Sequence, residues 1–417
     1  MIQPDNSATT FTLDNGLRVV CADIPSDVIY CGYVVCAGTR HEAPSDSGLA
    51  HFVEHMTFKG TENRKSYQIT NGLERVGGDL NAYTTKQETV YHAAILREHF
   101  SRAADLLTDI VFRSIYPQKE VVREVEVVCD EIDSYHDSPS DEIFDEFERI
   151  VFSNHPLGRD ILGDSSRLRT YTSQDVLRFA HQYYRPTNCV FFTFGRIGPQ
   201  RVRYYLEKFT RDIHRGETSS VPASAFCDQT LTPYEPKQIS LDKNTHQAHV
   251  IVGGRSFAGT DERKYAMILL NNILGGPGMN SRLNISLREK AGLVYSVDSY
   301  LSTYPDAGMW TIYFGCNETD IKRCLHRVSA ELDKLIQSPL TPRQLEAAKR
   351  QLCGQIGVAN NSFESRALAL GRTFAHYNVI RDTAETCNKI RALTADELLG
   401  AARETFGASQ RSVLIYK

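Results

Sequence analysis

The chain has 417 residues, 41% of them apolar and 24% charged, with a formal net charge of -4. That is too long for one ordinary core and globular in composition, with none of the basic excess that neutralises phosphates, so two or more domains are expected and nucleic acid is excluded as the main partner. The opening MIQPDNSATTFTLDN lacks the basic and apolar segments of a secretory signal, and no later stretch is apolar for the length of a membrane span. Ten cysteines lie scattered from Cys21 to Cys387 without a C-x-x-C pair. They read as reduced thiols in a cytoplasmic protein with no membrane association.

In chain order, Thr10 to Val35 reads as two strands, TFTLDNGLRVVCA and DVIYCGYVVC, with Asn15-Gly16 as a hairpin turn. Ser45, Asp46 and Ser47 offer N-caps for the periodic run LAHFVEHMTF, so a short helix is predicted over Ser47 to Phe58. Leu80 to Leu96 reads as strand, turn and strand. Pro117 can open a long helix through Ser134, and a further helix covers Asp141 to Phe152. Near Arg215 the composition turns to Ser, Thr and Pro without periodicity, as in a linker. Beyond it, strands over Gln238 to Gly253, a helix over Tyr265 to Leu274 and a strand over Met309 to Phe314 repeat the order of the first half. The expected organisation is a duplicated α+β unit: residues 1–215 as a metal-binding catalytic domain, 216–236 as linker and 237–417 as a homologous second domain.

His51-Phe52-Val53-Glu54-His55 places two imidazoles at i and i+4 on one helix face, close enough to share an ion. A catalytic zinc usually takes three protein ligands and leaves a fourth position to water, so a third ligand must come from elsewhere. The helix after Pro117 carries Glu120, Glu124 and Glu131 on one face, together with Val127 and Val128. Carboxylates within an apolar stripe are costly to bury unless positive charge meets them, which selects Glu131 as the third ligand and Glu124 as a supporting group. Glu54 sits near the metal without needing to bind it, so it can take a proton from a water whose pKa zinc lowers toward about 7, and later return one to the leaving amine. The pentapeptide alone is compatible with an ordinary pair of helical histidines. His246 and His249 form a second H-x-x-H, but a strand would put the two rings on opposite faces, so they read as structural or exposed.

TLDNGLRVV, GLAHFVEHMTFKGT, VGGDLNAYTTKQETVYH and REVEVVCDEIDSYHDSPSD, in this order, resemble successive signatures of the pitrilysin and insulinase superfamily of zinc peptidases, whose H-x-x-E-H inverts the commoner motif. Within it they look most like the processing-peptidase branch, the mitochondrial processing peptidase β-subunit and its bacterial relatives. The resemblance covers nearly the whole chain. It implies one zinc per chain on His51, His55 and Glu131, with Glu54 as base and Glu124 as supporting acid. It also implies that Arg282 and Tyr295, in GGPGMNSRLNISLREKAGLVYSV, reach the substrate. Asn81 and Ala82, within Gly78 to Thr84, would offer backbone contacts to a peptide added as an extra strand. Asp141 and Asp145 could attract a basic substrate residue, or form a solvated acidic face. Cys129 and Asp130 stand where relatives often have an apolar residue and Glu, and neither is expected to bind metal.

The implied fold is two homologous α+β halves, each a largely antiparallel sheet with helices on one face, closing as a clamshell around a chamber that favours unfolded peptides or presequence-like segments. Chains of this length in the family pair, so a homodimer, or a heterodimer with a metal-free sister, is implied. A non-catalytic scaffold subunit is the competing reading, and a metal-binding protein without hydrolysis is a third. Scaffold subunits lose the histidines or glutamates, and here all five positions are intact, while the third reading leaves Glu54 without a role.

Overall fold

A computed structural model describes residues 8–214 and 231–417, so most of the expected linker lies outside the described residues. Two compact units emerge, and each is discontinuous in sequence. The first combines 1–133, 159–229 and 360–382; the second combines 134–158, 230–359 and 383–417.

The first unit is built on six strands, β1 (Ala8–Thr12), β2 (Arg18–Asp23), β3 (Val28–Val35), β4 (Asp79–Thr84), β5 (Thr89–Leu96) and β6 (Cys189–Gly195), in the order β1-β2-β6-β3-β5-β4. All neighbours are antiparallel except β2 and β6. The Asn15-Gly16 turn joins β1 to β2, with Gly16 at φ 89°, so TFTLDNGLRVVCA is itself a hairpin and the first stretch holds three strands. Successive side chains of these strands point to opposite faces. Val19, Cys21, Tyr33, Val35 and Phe191 meet the main helical layer, including the helices Leu49–Thr57 and Gln118–His136. Val20, Val34, Val90, Phe192 and Phe194 face the other way.

That other face is covered by the helix Phe363–Tyr377, whose Ala367, Phe374 and Ala375 close a second core. Gly371 permits the close approach, because a Cβ there would lie 2.5 Å from the Phe192 ring. Burial on both faces explains why the central strands are nearly continuous apolar runs. The same helix is fastened by Glu88, which is 1% exposed and accepts hydrogen bonds from Arg372 Nε and His376 Nε2, each at 2.6 Å.

The second unit holds β7 (Gln238–Leu241), β8 (Ala248–Ser256), β9 (Val294–Thr303), β10 (Gly308–Cys316) and β11 (Ser412–Tyr416), in the order β7-β11-β8-β10-β9. β7 and β11 run parallel and the other pairs antiparallel. Taken in chain order, this repeats β2 to β6 strand for strand, with β1 an addition to the first sheet. The helix Pro139–Val151 covers one face through Ile143, Phe147 and Val151, packed with Ile251, Met309, Leu414 and Tyr416. Each sheet thus carries a helix drawn from the other half of the chain. His249 lies in β8 with its Nδ1 2.8 Å from the Tyr313 hydroxyl, while His246 precedes the strand and is exposed. No helix among the described residues is long and apolar enough to cross a membrane.

Burial raises the Glu88 pKa, but His376 and Arg372 outweigh it and hold the carboxyl below its ordinary value. A group whose native pKa is depressed contributes stability above its unfolded pKa, about 4.3 for Glu, and loses that contribution as pH falls through the native value. Glu88→Ala is therefore expected to cost about 3 kcal/mol at neutral pH by breaking a buried charge cluster. Unfolding midpoints should show the gap between variant and wild type narrowing below about pH 4; an unchanged midpoint at pH 7 would remove Glu88 from this role.

Candidate metal centre

The helix Leu49–Thr57 carries His51, Glu54 and His55, and all but His55 of its nine residues are buried. Its start departs from the expected capping. Ser45, Asp46 and Ser47 do not cap it; the N-cap is Gly48 at φ 76°, where a Cβ would also lie 2.4 Å from Leu162 O. The free amides go instead to the buried Glu42 carboxylate, which accepts from Gly48 N at 3.2 Å and Ala50 N at 2.8 Å. Burial pushes the Glu42 pKa up to about 8, offset in part by the hydrogen bonds from the Ala50 and Gly48 amides. Asp46 is engaged by Arg178 at 2.9 Å.

Along the helix Gln118–His136, the buried stripe is Val121, Glu124, Val125, Val128 and Ile132, with Glu131 further out. Val127 is 51% exposed and lies outside the stripe, whereas Glu124, 6% exposed, is as buried as Val125 and Glu131 alone stands at the border. This placement leaves Glu131 partly solvated while aiming it at the histidines.

His51, His55 and Glu131 form the one group of three potential metal-ligating side chains among the described residues, with ligand atoms within 4.8 Å of one another. His51 Nε2 lies 3.9 Å from Glu131 Oε1, and His55 Nε2 lies 3.4 Å from Glu131 Oε2. Two ligands each about 2 Å from a tetrahedral zinc stand roughly 3.3 Å apart, so the spacing suits an ion between them. His55 Nδ1 is 3.0 Å from Glu124 Oε1. An ionised carboxylate can only accept, so Nδ1 carries the proton and Nε2 is the nitrogen turned to the ion.

The charges agree. Burial raises the Glu124 pKa, but His55 and Lys59 outweigh it and hold it low; the His55 hydrogen bond does the same for Glu131. Burial and the neighbouring imidazole lower His51 to about 4, whereas on His55 burial is overcome by Glu124 and Glu131, which carry it to about 9. With protein groups alone, the cluster takes up positive charge as a proton on His55. A divalent cation satisfies the same demand.

Glu54 is 9% exposed and does not join the triad. Burial raises its pKa, partly offset by the Thr84 hydroxyl, which donates to Glu54 Oε2 at 2.6 Å. Thr84 belongs to β4, the edge strand of the first sheet, so the strand expected to receive substrate also orients the expected base. On β4, Asn81 is exposed and Ala82 half-buried, and the Ala82 amide donates to Asn81 Oδ1 at 2.9 Å. Arg282 and Tyr295 belong to the second unit. Arg282 is half-buried in a polar cavity with Glu331, Arg327 and Lys334, and Tyr295 is 92% exposed at the start of β9. Asp141 and Asp145 also lie in the second unit, where Ser138 Oγ donates to Asp141 at 2.5 Å. Cys129 is buried and Asp130 lies outside the metal-ligating group. Sequence reasoning missed Glu42, Lys59 and Thr84; only the placement of Thr84 beside Asn81 and Ala82 on the predicted edge strand offered a hint.

The insulinase (peptidase family M16) profile matches residues 18–165, which contain the whole triad, and the M16 inactive-domain profile matches residues 170–352. The chain is 32% identical over 406 residues to an uncharacterised zinc protease, YmxG, of Bacillus subtilis, covering 97% of each. The chain belongs to peptidase family M16. Another relative, an uncharacterised zinc protease of Rickettsia felis, is 31% identical over 409 residues, covering 97% of this chain and 96% of that one. In fold, this M16 chain is similar to the crystal structure of a protease from Helicobacter pylori, with a TM-score of 0.90 at 22% identity over 98% of this chain and 99% of that one.

Because Glu42 holds the start of the histidine helix, Glu42→Ala is expected to destabilise it by about 1 kcal/mol, as loss of a helix N-cap does. Hydrogen exchange at the Gly48 and Ala50 amides should accelerate. Unchanged protection at both would show that the carboxylate does not hold this helix end.

Proposed function

We propose that this M16 chain is a zinc-dependent endopeptidase that hydrolyses peptides or presequence-like unfolded segments, with one zinc on His51, His55 and Glu131 and with Glu54 as general base. The observation that carries the reading is the convergence of two imidazoles and a carboxylate within 4.8 Å, beside a buried glutamate that is not one of them. Two histidines and one carboxylate match the ligand set of zinc hydrolases, which leaves a position for water. The zinc proteases among its relatives favour that ion over other divalent metals.

A zinc ion held there supplies Lewis acidity to the peptide carbonyl and acidity to water. The protein supplies the rest. Glu54, its Oε2 fixed by Thr84, takes the proton of the attacking water on its other oxygen and passes one to the leaving amine. Glu124 keeps His55 in one tautomer and orientation. The edge strand β4 binds the peptide backbone at Asn81 and Ala82 as an added strand, and Arg282 and Tyr295 are further substrate-binding residues. We also place the protein in the cytoplasm, as a homodimer or paired with a related subunit.

The test is cleavage of quenched fluorescent peptides with and without chelator, beside Glu54→Gln. Chelation should abolish cleavage and zinc should restore it. Glu54→Gln should retain one zinc per chain while kcat falls by a factor on the order of 10²–10⁴, the usual contribution of a general base. Cleavage that survives both treatments would end this reading, whereas a zinc-loaded wild type that cuts nothing across a varied library would favour the scaffold subunit.

A further inference from the structure

Glu124 divides its two oxygens between two residues of one short stretch. Oε1 faces His55 Nδ1 at 3.0 Å, and Oε2 faces Lys59 Nζ at 2.5 Å. Lys59 lies two residues beyond the end of the histidine helix, its amide donating to Met56 O at 3.1 Å, so the polypeptide that carries His51, Glu54 and His55 also carries the cation on the far side of Glu124. The carboxylate is 6% exposed and the Lys59 side chain 27% exposed, which separates this pair from the solvated ion pairs that contribute little. A carboxylate held by one oxygen can still swing about its side-chain torsion; held at both, its plane is fixed.

From this geometry we propose that Lys59 is a positioning residue of the metal centre: it clamps Glu124 Oε2 so that Oε1 stays on His55 Nδ1, and thereby aims His55 Nε2 at the ion. The inference rests on the proposed metal site and adds to it a residue that touches neither metal nor substrate. Partners that orient a metal-ligating histidine typically contribute 10–100-fold to metal affinity.

The experiment measures zinc affinity directly, by competition of the purified full chain with a chromophoric chelator, so it does not depend on turnover. Lys59→Met is expected to weaken zinc binding by about 10-fold, and Lys59→Arg, which can still donate to Oε2, to recover most of the loss. In a Glu124→Gln background, Lys59→Met should change affinity by less than about twofold, because neighbours that act through one another are not additive. A Lys59→Met chain that binds zinc as tightly as wild type overturns the proposal. So does an equal loss with and without the Glu124 carboxylate, which would mark Lys59 as a general structural residue. Should Lys59→Met fail to fold, Lys59→Leu, which likewise removes the donor to Oε2, carries the same comparison. A wild type that binds no zinc at all would instead overturn the metal site itself.

Discussion

The centre depends on a charge balance at the border of an apolar layer. Glu131 stands where the helix Gln118–His136 leaves the core, and Glu124 is nearly as shielded from water as the valines beside it. Shielded carboxylates require positive partners, and those present are the imidazoles of the neighbouring helix and the Lys59 ammonium. The helices are therefore matched by more than apolar packing: a slip of either by one residue would leave a carboxylate facing hydrocarbon. Stability and metal binding draw on the same contacts, so folding of the two helices assembles the site.

Much of this was legible in the amino-acid order because the informative residues sit on regular elements. His51 and His55 at helical spacing, and Glu124 and Glu131 two turns apart, keep their geometric relation in any helix. Both helices form within two residues of the expected bounds. The edge position of the strand bearing Asn81 and Ala82 followed only from the family resemblance, and the structure agrees. What was illegible comes from tertiary contacts between distant segments. Glu42 reaches the helix start through a loop, Lys59 falls just past a helix end, and Thr84 meets Glu54 across 30 residues. Val127 was assigned to the wrong side because a difference of some tens of degrees around a helix decides exposure, and periodicity does not resolve it.

The repetition of strand order in the two sheets, each with a single parallel pair, is a stronger sign of duplication than any sequence similarity between the halves. The exchange of helices is part of that pattern. Phe363–Tyr377 follows the helix Pro342–Ala359 as Pro139–Val151 follows Gln118–His136, and each covers the sheet of the other half. A boundary drawn in a linker captures the chain order of the halves; the packing crosses it twice.

The helix over Val20, Val34, Val90 and Phe192 has a consequence for how the protein is made. During synthesis the N-terminal portion leaves the ribosome first, yet one face of its sheet has no cover until residues beyond 363 have emerged. The histidines are thus translated roughly three hundred residues before the unit that holds them can be completed. A nascent or truncated chain therefore exposes an unfinished apolar surface, and the metal-binding unit gains its full framework only once the helix Phe363–Tyr377 has been translated.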